Sequence, residues 1–155
     1  MKKMLLMIVA MVFIMGPFTP ASAYNQAQLT KVQNGEKKCS GFDLSGADLS
    51  KMNLNNINLS KANLSKANLS GAILTDADLS KSKLGGANLS GGILYGVDLS
   101  NADLSGANVS NVNLAASHLK NANLSNADLH DSDLRGSDRS GANLSGANLR
   151  GALLR

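Results

Sequence analysis

The chain of 155 residues contains no tryptophan, three phenylalanines and two tyrosines. This scarcity excludes a globular core built around aromatic side chains, so a core must consist of leucine, alanine, isoleucine and valine. The only cysteine is Cys39, so no disulfide can form within one chain. A buried, inert thiol is the favoured interpretation of Cys39, and an intermolecular disulfide is the alternative.

The first 23 residues have the pattern of a secretory signal peptide. Lys2 and Lys3 precede an uncharged apolar run from Met4 to Met15, and Ala21-Ser22-Ala23 supplies the small residues that a signal peptidase recognises. A membrane span needs about 20 apolar residues, so the sequence predicts cleavage before Tyr24 and no stable membrane span afterwards. The mature protein is therefore expected to be exported, either periplasmic or secreted.

A strict five-residue repeat runs from Phe42 to Arg155 without insertion or deletion. Of its 23 units, 21 have Leu at the third position and 18 have Asn or Asp at the second. The first position is small or aliphatic almost throughout, the fourth is mostly Ser, and the fifth is often Gly. A period of five fits neither an α-helix nor a flat strand, since neither would place the leucines on one face. The leucines share one core only if the chain turns a corner in every unit.

This pattern resembles the pentapeptide-repeat family, whose consensus is A-(D/N)-L-x-x, over residues 42–155. The resemblance implies an all-β fold: a right-handed quadrilateral β-helix with four units in each coil, and thus about six coils. The first and third positions then point inward and the second points outward. Residues 24–41 are assigned to an N-terminal cap, with a short helix expected over Gln26–Gln33, and Phe42 is expected to plug the end of the core.

Departures from the repeat on the third face of this solenoid predict an interaction surface. Ile73 and Ile93 replace the outward Asn or Asp there, and Thr75 and Tyr95 occupy the adjacent fourth positions. Together they predict an exposed apolar and aromatic patch, which is a candidate binding surface. The alternative is that β-branched residues simply stack well on a sheet face.

The C-terminal coil has no visible cap in the sequence. Leu153, Leu154 and the last backbone edge are expected to be open, and such an edge allows two copies to pair as a homodimer. Arg139 occupies a third position, where almost every unit has Leu. We expect its stem to cover Leu119 beside this open end while its guanidinium reaches water.

Charged residues give only a weak signal. Without Lys2 and Lys3, thirteen basic residues remain against eleven acidic ones, which is a net charge of +2. This balance predicts no strong attraction to nucleic acid or to an anionic membrane. Several lysines are concentrated in the N-terminal half of the repeat, and a role in solubility is favoured there over a binding site. They are Lys51, Lys61, Lys66, Lys81 and Lys83.

Groups that carry out chemistry are scarce in the sequence. It has no HExxH, no CxxC and no glycine-rich phosphate loop followed by a helix. In the four-sided solenoid, His118 and His130 would lie on opposite faces, too far apart to bind one metal ion. We therefore predict no catalytic residue, no cofactor and no metal site.

The sequence thus predicts an exported, non-enzymatic repeat protein that acts as a structural or protein-interaction module, with a protein partner of unknown identity. The alternative, a DNA mimic that binds a type II topoisomerase, follows from the best-known members of the family that the repeat resembles. That mechanism needs a strongly acidic rod in the cytoplasm. The near-neutral charge and the signal peptide argue against it.

Overall fold

Backbone pairing in the computed structural model, which describes residues 24–155, joins residues that are twenty positions apart. The parallel bridges follow this register from Lys38 with Asn58 to Asp133 with Leu153. We call each twenty-residue stretch a coil, and each coil carries four bridged positions, five residues apart. All of these bridges are isolated, so the described residues contain no longer strand. The signal peptide predicted for residues 1–23 lies outside the described residues.

In each unit of the repeat, backbone hydrogen bonds join the second and third positions to the adjacent coils, and a turn then changes the direction of the chain. The N–H of Leu79 donates to the carbonyl of Asp98 in the next coil at 2.7 Å, and the N–H of Asp78 donates to Ile57 in the previous coil at 2.9 Å. A bond of 3.1 Å from the N–H of Ser82 to the carbonyl of Leu79 closes the corner. The fifth position between them, Lys81, has φ +58°. The N–H of Lys81 also donates to the carbonyl of Ser100 in the next coil, at 2.9 Å. Each unit therefore bonds to the next coil on both sides of its corner, and the corner limits each bridge to one residue.

The core consists of the third positions and the small first positions. Every third-position residue from Leu44 to Leu134 is at most 2% exposed, as the repeat predicts. The alanines at the first positions between them are similarly buried. Leu144 and Leu149, in the last coil, are only partly buried. Burial of one leucine contributes roughly 1.5–3 kcal/mol before entropy is counted, so the stacked leucines stabilise the rod along its whole length.

Serines replace alanine at a few inward first positions, and they differ in how their hydroxyls are satisfied. Ser82 Oγ donates to the carbonyl of Leu79 at 2.6 Å, and Ser132 Oγ donates to Val109 at 2.5 Å. Ser117 Oγ is buried and has no hydrogen-bond partner among residues 24–155. A buried hydroxyl without a partner costs about 1–3 kcal/mol, so Ser117 is a weak point in the core.

We expect Ser117→Ala to stabilise the protein, because it removes the unpartnered hydroxyl and leaves the methylene group in place. The free energy of unfolding should rise by about 1 kcal/mol or more. The matched control is Ser82→Ala, which deletes a hydroxyl that is hydrogen-bonded and should be neutral or destabilising. Urea denaturation followed by circular dichroism measures both variants. Equal effects of the two substitutions would contradict this account of Ser117.

The N-terminal end of the rod is covered by one helix, α1, over Gln26–Gln33, the bounds that the sequence predicts. Asn25 is its N-cap, and Leu29 and Val32 are its buried residues. The side chain of Gln28 accepts a hydrogen bond of 2.7 Å from the N–H of Asp43, which ties α1 to the first coil. Phe42 packs against the core but is only half-buried. No helix within residues 24–155 has the length and apolarity needed to cross a bilayer.

The bridge ladder extends one unit into the segment that the sequence assigns to the cap. Lys38 pairs with Asn58, and Cys39 occupies a third position with no exposed surface. The Cys39 thiol donates to the carbonyl of Glu36 at 3.1 Å. Burial, assisted by the charge of Glu36, raises the pKa of Cys39. The buried thiol therefore takes the place of a core leucine and is poorly nucleophilic at neutral pH.

Candidate functional site

The structure brings together the four residues that the sequence assigns to the third face. Ile73 bridges to Ile93, and the N–H of Asp76 donates to the carbonyl of Tyr95 at 3.1 Å, which places Thr75 beside Tyr95. Ile93 is 43% exposed and Tyr95 is 49% exposed, while Ile73 and Thr75 are half-buried. We call Ile73, Thr75, Ile93 and Tyr95 the third-face patch.

The outward Asn or Asp of a typical unit accepts a backbone hydrogen bond, which isoleucine cannot do because its side chain has no oxygen. Its side-chain oxygen accepts a hydrogen bond from the N–H two residues later, as Asp78 does from Ser80 at 2.9 Å. In the first unit of the patch, the N–H of Thr75 is satisfied instead by Asn55 Oδ1 from the coil below, at 3.0 Å. The N–H of Tyr95 has no acceptor among the described residues. Ile93 therefore removes a local hydrogen bond, worth about 1 kcal/mol, that most other units make.

The third-face patch has a polar rim. Asn53 and Asn113 pair with its isoleucines from the coils on either side. At one corner a methyl group added to Gly71 would lie 3.5 Å from Lys51 Cγ, so the lysine stem runs along the rod beside the patch. Asp76 is an exposed acidic group at the opposite corner. An apolar centre surrounded by polar side chains is the usual arrangement of a protein interface.

Close packing lies directly beneath the patch. Gly92 occupies a first position where most units have alanine, and it is buried. A methyl group at Gly92 would lie 2.9 Å from Leu94 Cδ1 and 3.0 Å from the carbonyl oxygen of Leu89. The coil that carries Ile93 and Tyr95 is thus held tightly against the core, which gives the patch a rigid base.

The C-terminal coil adds one contact to the sequence-based expectation. Leu153 and Leu154 are 50% and 40% exposed. Arg139 is half-buried, and its Nη2 donates to the carbonyl of Leu154 at 3.0 Å, a contact that the sequence does not predict. Pairing of two copies through Leu153 and Leu154 stays a prediction.

The histidines lie on different faces and each neighbours acidic residues. His118 bridges to Asp98 and Asp138 on the fourth face. His130 Nδ1 is 2.8 Å from Asp128 Oδ1, and this hydrogen bond lowers the pKa of Asp128. Within residues 24–155 no group of three or more His, Cys, Asp or Glu side chains could hold a metal ion.

A family model described as pentapeptide repeats matches the chain with eight copies, over residues 43–80, 72–111, 82–121 and 113–151. The chain belongs to the pentapeptide-repeat family. Most of the pentapeptide-repeat chain is covered by these matches, including all four residues of the third-face patch. No curated protein matches the chain.

Solved structures similar to this pentapeptide-repeat protein include three of different origin. A trypsin-treated variant of QnrB1, a plasmid-mediated fluoroquinolone resistance protein, is 27% identical over 72% of this chain, with a TM-score of 0.43, and the chain spans 60% of its length. HetL, involved in heterocyst differentiation regulation in the cyanobacterium Nostoc sp. strain PCC 7120, is 23% identical, with coverages of 84% and 96% and a TM-score of 0.31. A pentapeptide repeat protein from the cyanobacterium Cyanothece 51142 is 26% identical, with coverages of 82% and 92% and a TM-score of 0.34.

Proposed function

We propose that this pentapeptide-repeat protein is a non-enzymatic interaction module that binds a protein partner through the third-face patch. The main support is the N–H of Tyr95, which has no acceptor among the described residues. Isoleucine at position 93 replaces the residue that would accept this hydrogen bond, and Ile93 and Tyr95 are both exposed. Tyrosine is enriched where proteins meet, because its ring buries a large area while its hydroxyl keeps a polar contact. The polar rim of Lys51 and Asp76 fits a partner that covers the apolar centre.

The four bridged positions in each coil support the finer architecture that the family implies. We infer a right-handed, four-sided rod of about six coils with α1 as its N-terminal cap. Such a rod presents four flat faces, and only the third carries isoleucine at its outward second positions. A partner that recognises the patch would therefore approach from one side of the rod.

The test of the proposed function restores the repeat consensus within the patch. The double variant Ile93→Asn, Tyr95→Ser supplies an acceptor for the N–H at position 95 and removes the exposed apolar surface. We expect unchanged circular dichroism and at least about tenfold weaker partner binding, since interface hot spots contribute about 2 kcal/mol or more. The matched control, Asn88→Ser with Ser90→Ala, changes the same positions of the same coil on the second face and should bind normally.

The measurement is photocrosslinking in envelope extract, with the reactive group placed at position 115, beside the patch in the next coil. A specific crosslinked protein should appear with the parent chain and the control, and disappear with the double variant. If the double variant unfolds, or if the control loses the crosslink equally, the third-face patch is structural and this function is wrong.

We also propose export of the protein, supported by the signal-peptide pattern of residues 1–23. Mass spectrometry of the protein purified from a bacterial envelope fraction should find Tyr24 as the first residue. A cytoplasmic product that begins at Met1 would contradict export.

A further inference from the structure

A second group of departures from the repeat is concentrated in one unit, Ser82 to Gly86. Lys83 is the only lysine or arginine at the second position of any of the 23 units. Gly85 is the only glycine at a fourth position, and Gly86 follows it. The unit lies on the first face, away from the third-face patch, because the bridges join Lys83 to Asn63 and Asp103.

These substitutions leave a backbone donor free on the first face. In the coils below and above, the outward side chain accepts from the N–H two residues later, from Ser65 to Asn63 at 3.2 Å and from Ser105 to Asp103 at 3.1 Å. Lys83 has no oxygen with which to accept. The N–H of Gly85 consequently has no acceptor within the part of the chain that the structure describes. With hydrogen in place of a side chain at Gly85 and Gly86, a ligand can approach this donor closely.

Lysines flank the free donor from both corners of the face. Lys66, Lys81 and Lys83 are exposed, and none forms an ion pair within residues 24–155. A methyl group at Gly86 would lie 3.7 Å from Lys66 Cγ, so the Lys66 stem lies beside the Gly86 backbone, and a methyl group at Gly85 would lie 3.6 Å from Ser105 Oγ. Lys81 stands at the other corner, two residues before Lys83.

The nearest acidic residue on this face is already engaged. Asp103, next to Lys83 in the ladder, accepts hydrogen bonds from Asn123 Nδ2 at 2.9 Å and from the N–H of Ser105 at 3.1 Å. It makes no ion pair with Lys83 among the described contacts. Three exposed lysines that form no ion pair within residues 24–155 therefore share this face and its two corners with the free N–H of Gly85.

We propose that Lys66, Lys81, Lys83 and the N–H of Gly85 form a binding site for a phosphate group. A tetrahedral oxyanion can accept from several donors at once, and charge-assisted hydrogen bonds are stronger than neutral ones. Lysine ammonium groups bind phosphate as point charges and need no fixed geometry, which suits flexible side chains at two corners. The phosphate comes either from free inorganic phosphate or from a lipid headgroup. The site is independent of the third-face patch.

The decisive variant is Lys83→Asn, Gly85→Ser, which restores the consensus of the neighbouring coils. The introduced asparagine side chain would accept from the N–H at position 85, so the variant removes one charge and the free donor without disturbing the core. The matched control is Lys120→Ser, which removes the same charge from a fourth position on the fourth face, where the other coils have serine. Circular dichroism should show that both variants are folded.

The first measurement is titration of the purified protein with inorganic phosphate, followed by the amide NMR shift of residue 85. We expect a saturable shift in the parent chain and in Lys120→Ser, and at least about tenfold weaker binding in the double variant, as loss of a charge-assisted contact implies. The second is co-sedimentation with vesicles of phosphatidylcholine alone or of equimolar phosphatidylcholine and phosphatidylglycerol.

The two arms identify the source of the phosphate. Saturation by inorganic phosphate assigns the free ion, and binding only to vesicles that contain phosphatidylglycerol assigns the lipid headgroup, provided that the double variant loses either effect. The site is refuted if neither probe binds. It is also refuted if Lys120→Ser weakens binding as much as the double variant, because that result indicates general attraction to positive charge.

Discussion

Leu79→Arg is expected to unfold the rod. Leu79 has no exposed surface and occupies the middle of the column that Leu59 and Leu99 continue in the adjacent coils. Burying an unpaired guanidinium there would cost several kcal/mol in addition to the lost apolar burial. A domain of this size is stable by only about 5–15 kcal/mol, so the penalty removes most or all of its stability.

The control for Leu79→Arg is the natural arginine at the same position of a later coil. Arg139 is half-buried, and its guanidinium meets the carbonyl of Leu154 at the partly exposed end of the core. Arg139→Leu should be near-neutral or stabilising, because one partly exposed hydrogen bond is exchanged for apolar contact. Circular dichroism and urea denaturation measure both variants. A folded Leu79→Arg protein, or a loss of more than about 2 kcal/mol in Arg139→Leu, would contradict this account.

The double variant Leu29→Ala, Val32→Ala should open the N-terminal end of the core. Both side chains are buried, at 5% and 2% exposure, on the inner face of α1. Truncating a buried leucine alone costs about 2–5 kcal/mol, and the loss of Val32 adds to this. Because each coil contacts only its neighbours, the damage should stay near the cap.

Hydrogen exchange followed by mass spectrometry distinguishes local from global effects of the cap variant. We expect faster exchange in residues 38–61 and nearly unchanged protection beyond residue 100. The control is Gln33→Ala, which changes an exposed residue of α1. If exchange accelerates equally along the whole rod, the coils unfold as one cooperative unit and the nearest-neighbour description fails.

Much of this fold follows from the sequence because the position of a residue within the repeat determines whether its side chain is buried. Leucine at the third position of a unit and a small residue at its first position mark the side chains that point inward. Leu79 and Ala77 are buried accordingly. The grouping of Ile73 with Ile93 needs one further fact, the twenty-residue register. The family resemblance supplied that register, since a five-residue period alone does not determine the number of sides.

The features that sequence reasoning missed depend on particular hydrogen bonds. Cys39 follows two lysines, which do not match the first and second positions of the repeat, so its unit is not recognised from the sequence. Ser40 and Gly41 after it do match the fourth and fifth positions. The bond from Arg139 to the carbonyl of Leu154 depends on a side-chain rotamer. The free N–H of Gly85 becomes visible only when the outward Asn or Asp is seen to accept from the residue two positions later. Ser65 with Asn63 shows that arrangement.

The regular five-residue repeat also determines how the gain or loss of whole units would alter this protein. Every face of the rod rests on the same leucine core, so an in-frame gain or loss of five codons between α1 and Ile73 would preserve every inward position. It would nevertheless rotate the third-face patch by one side of the rod relative to α1. A gain of four whole units would restore the original side and move the patch one coil farther away. Small duplications can thus change the side of the rod on which a surface lies, while the packing of the leucine core stays the same.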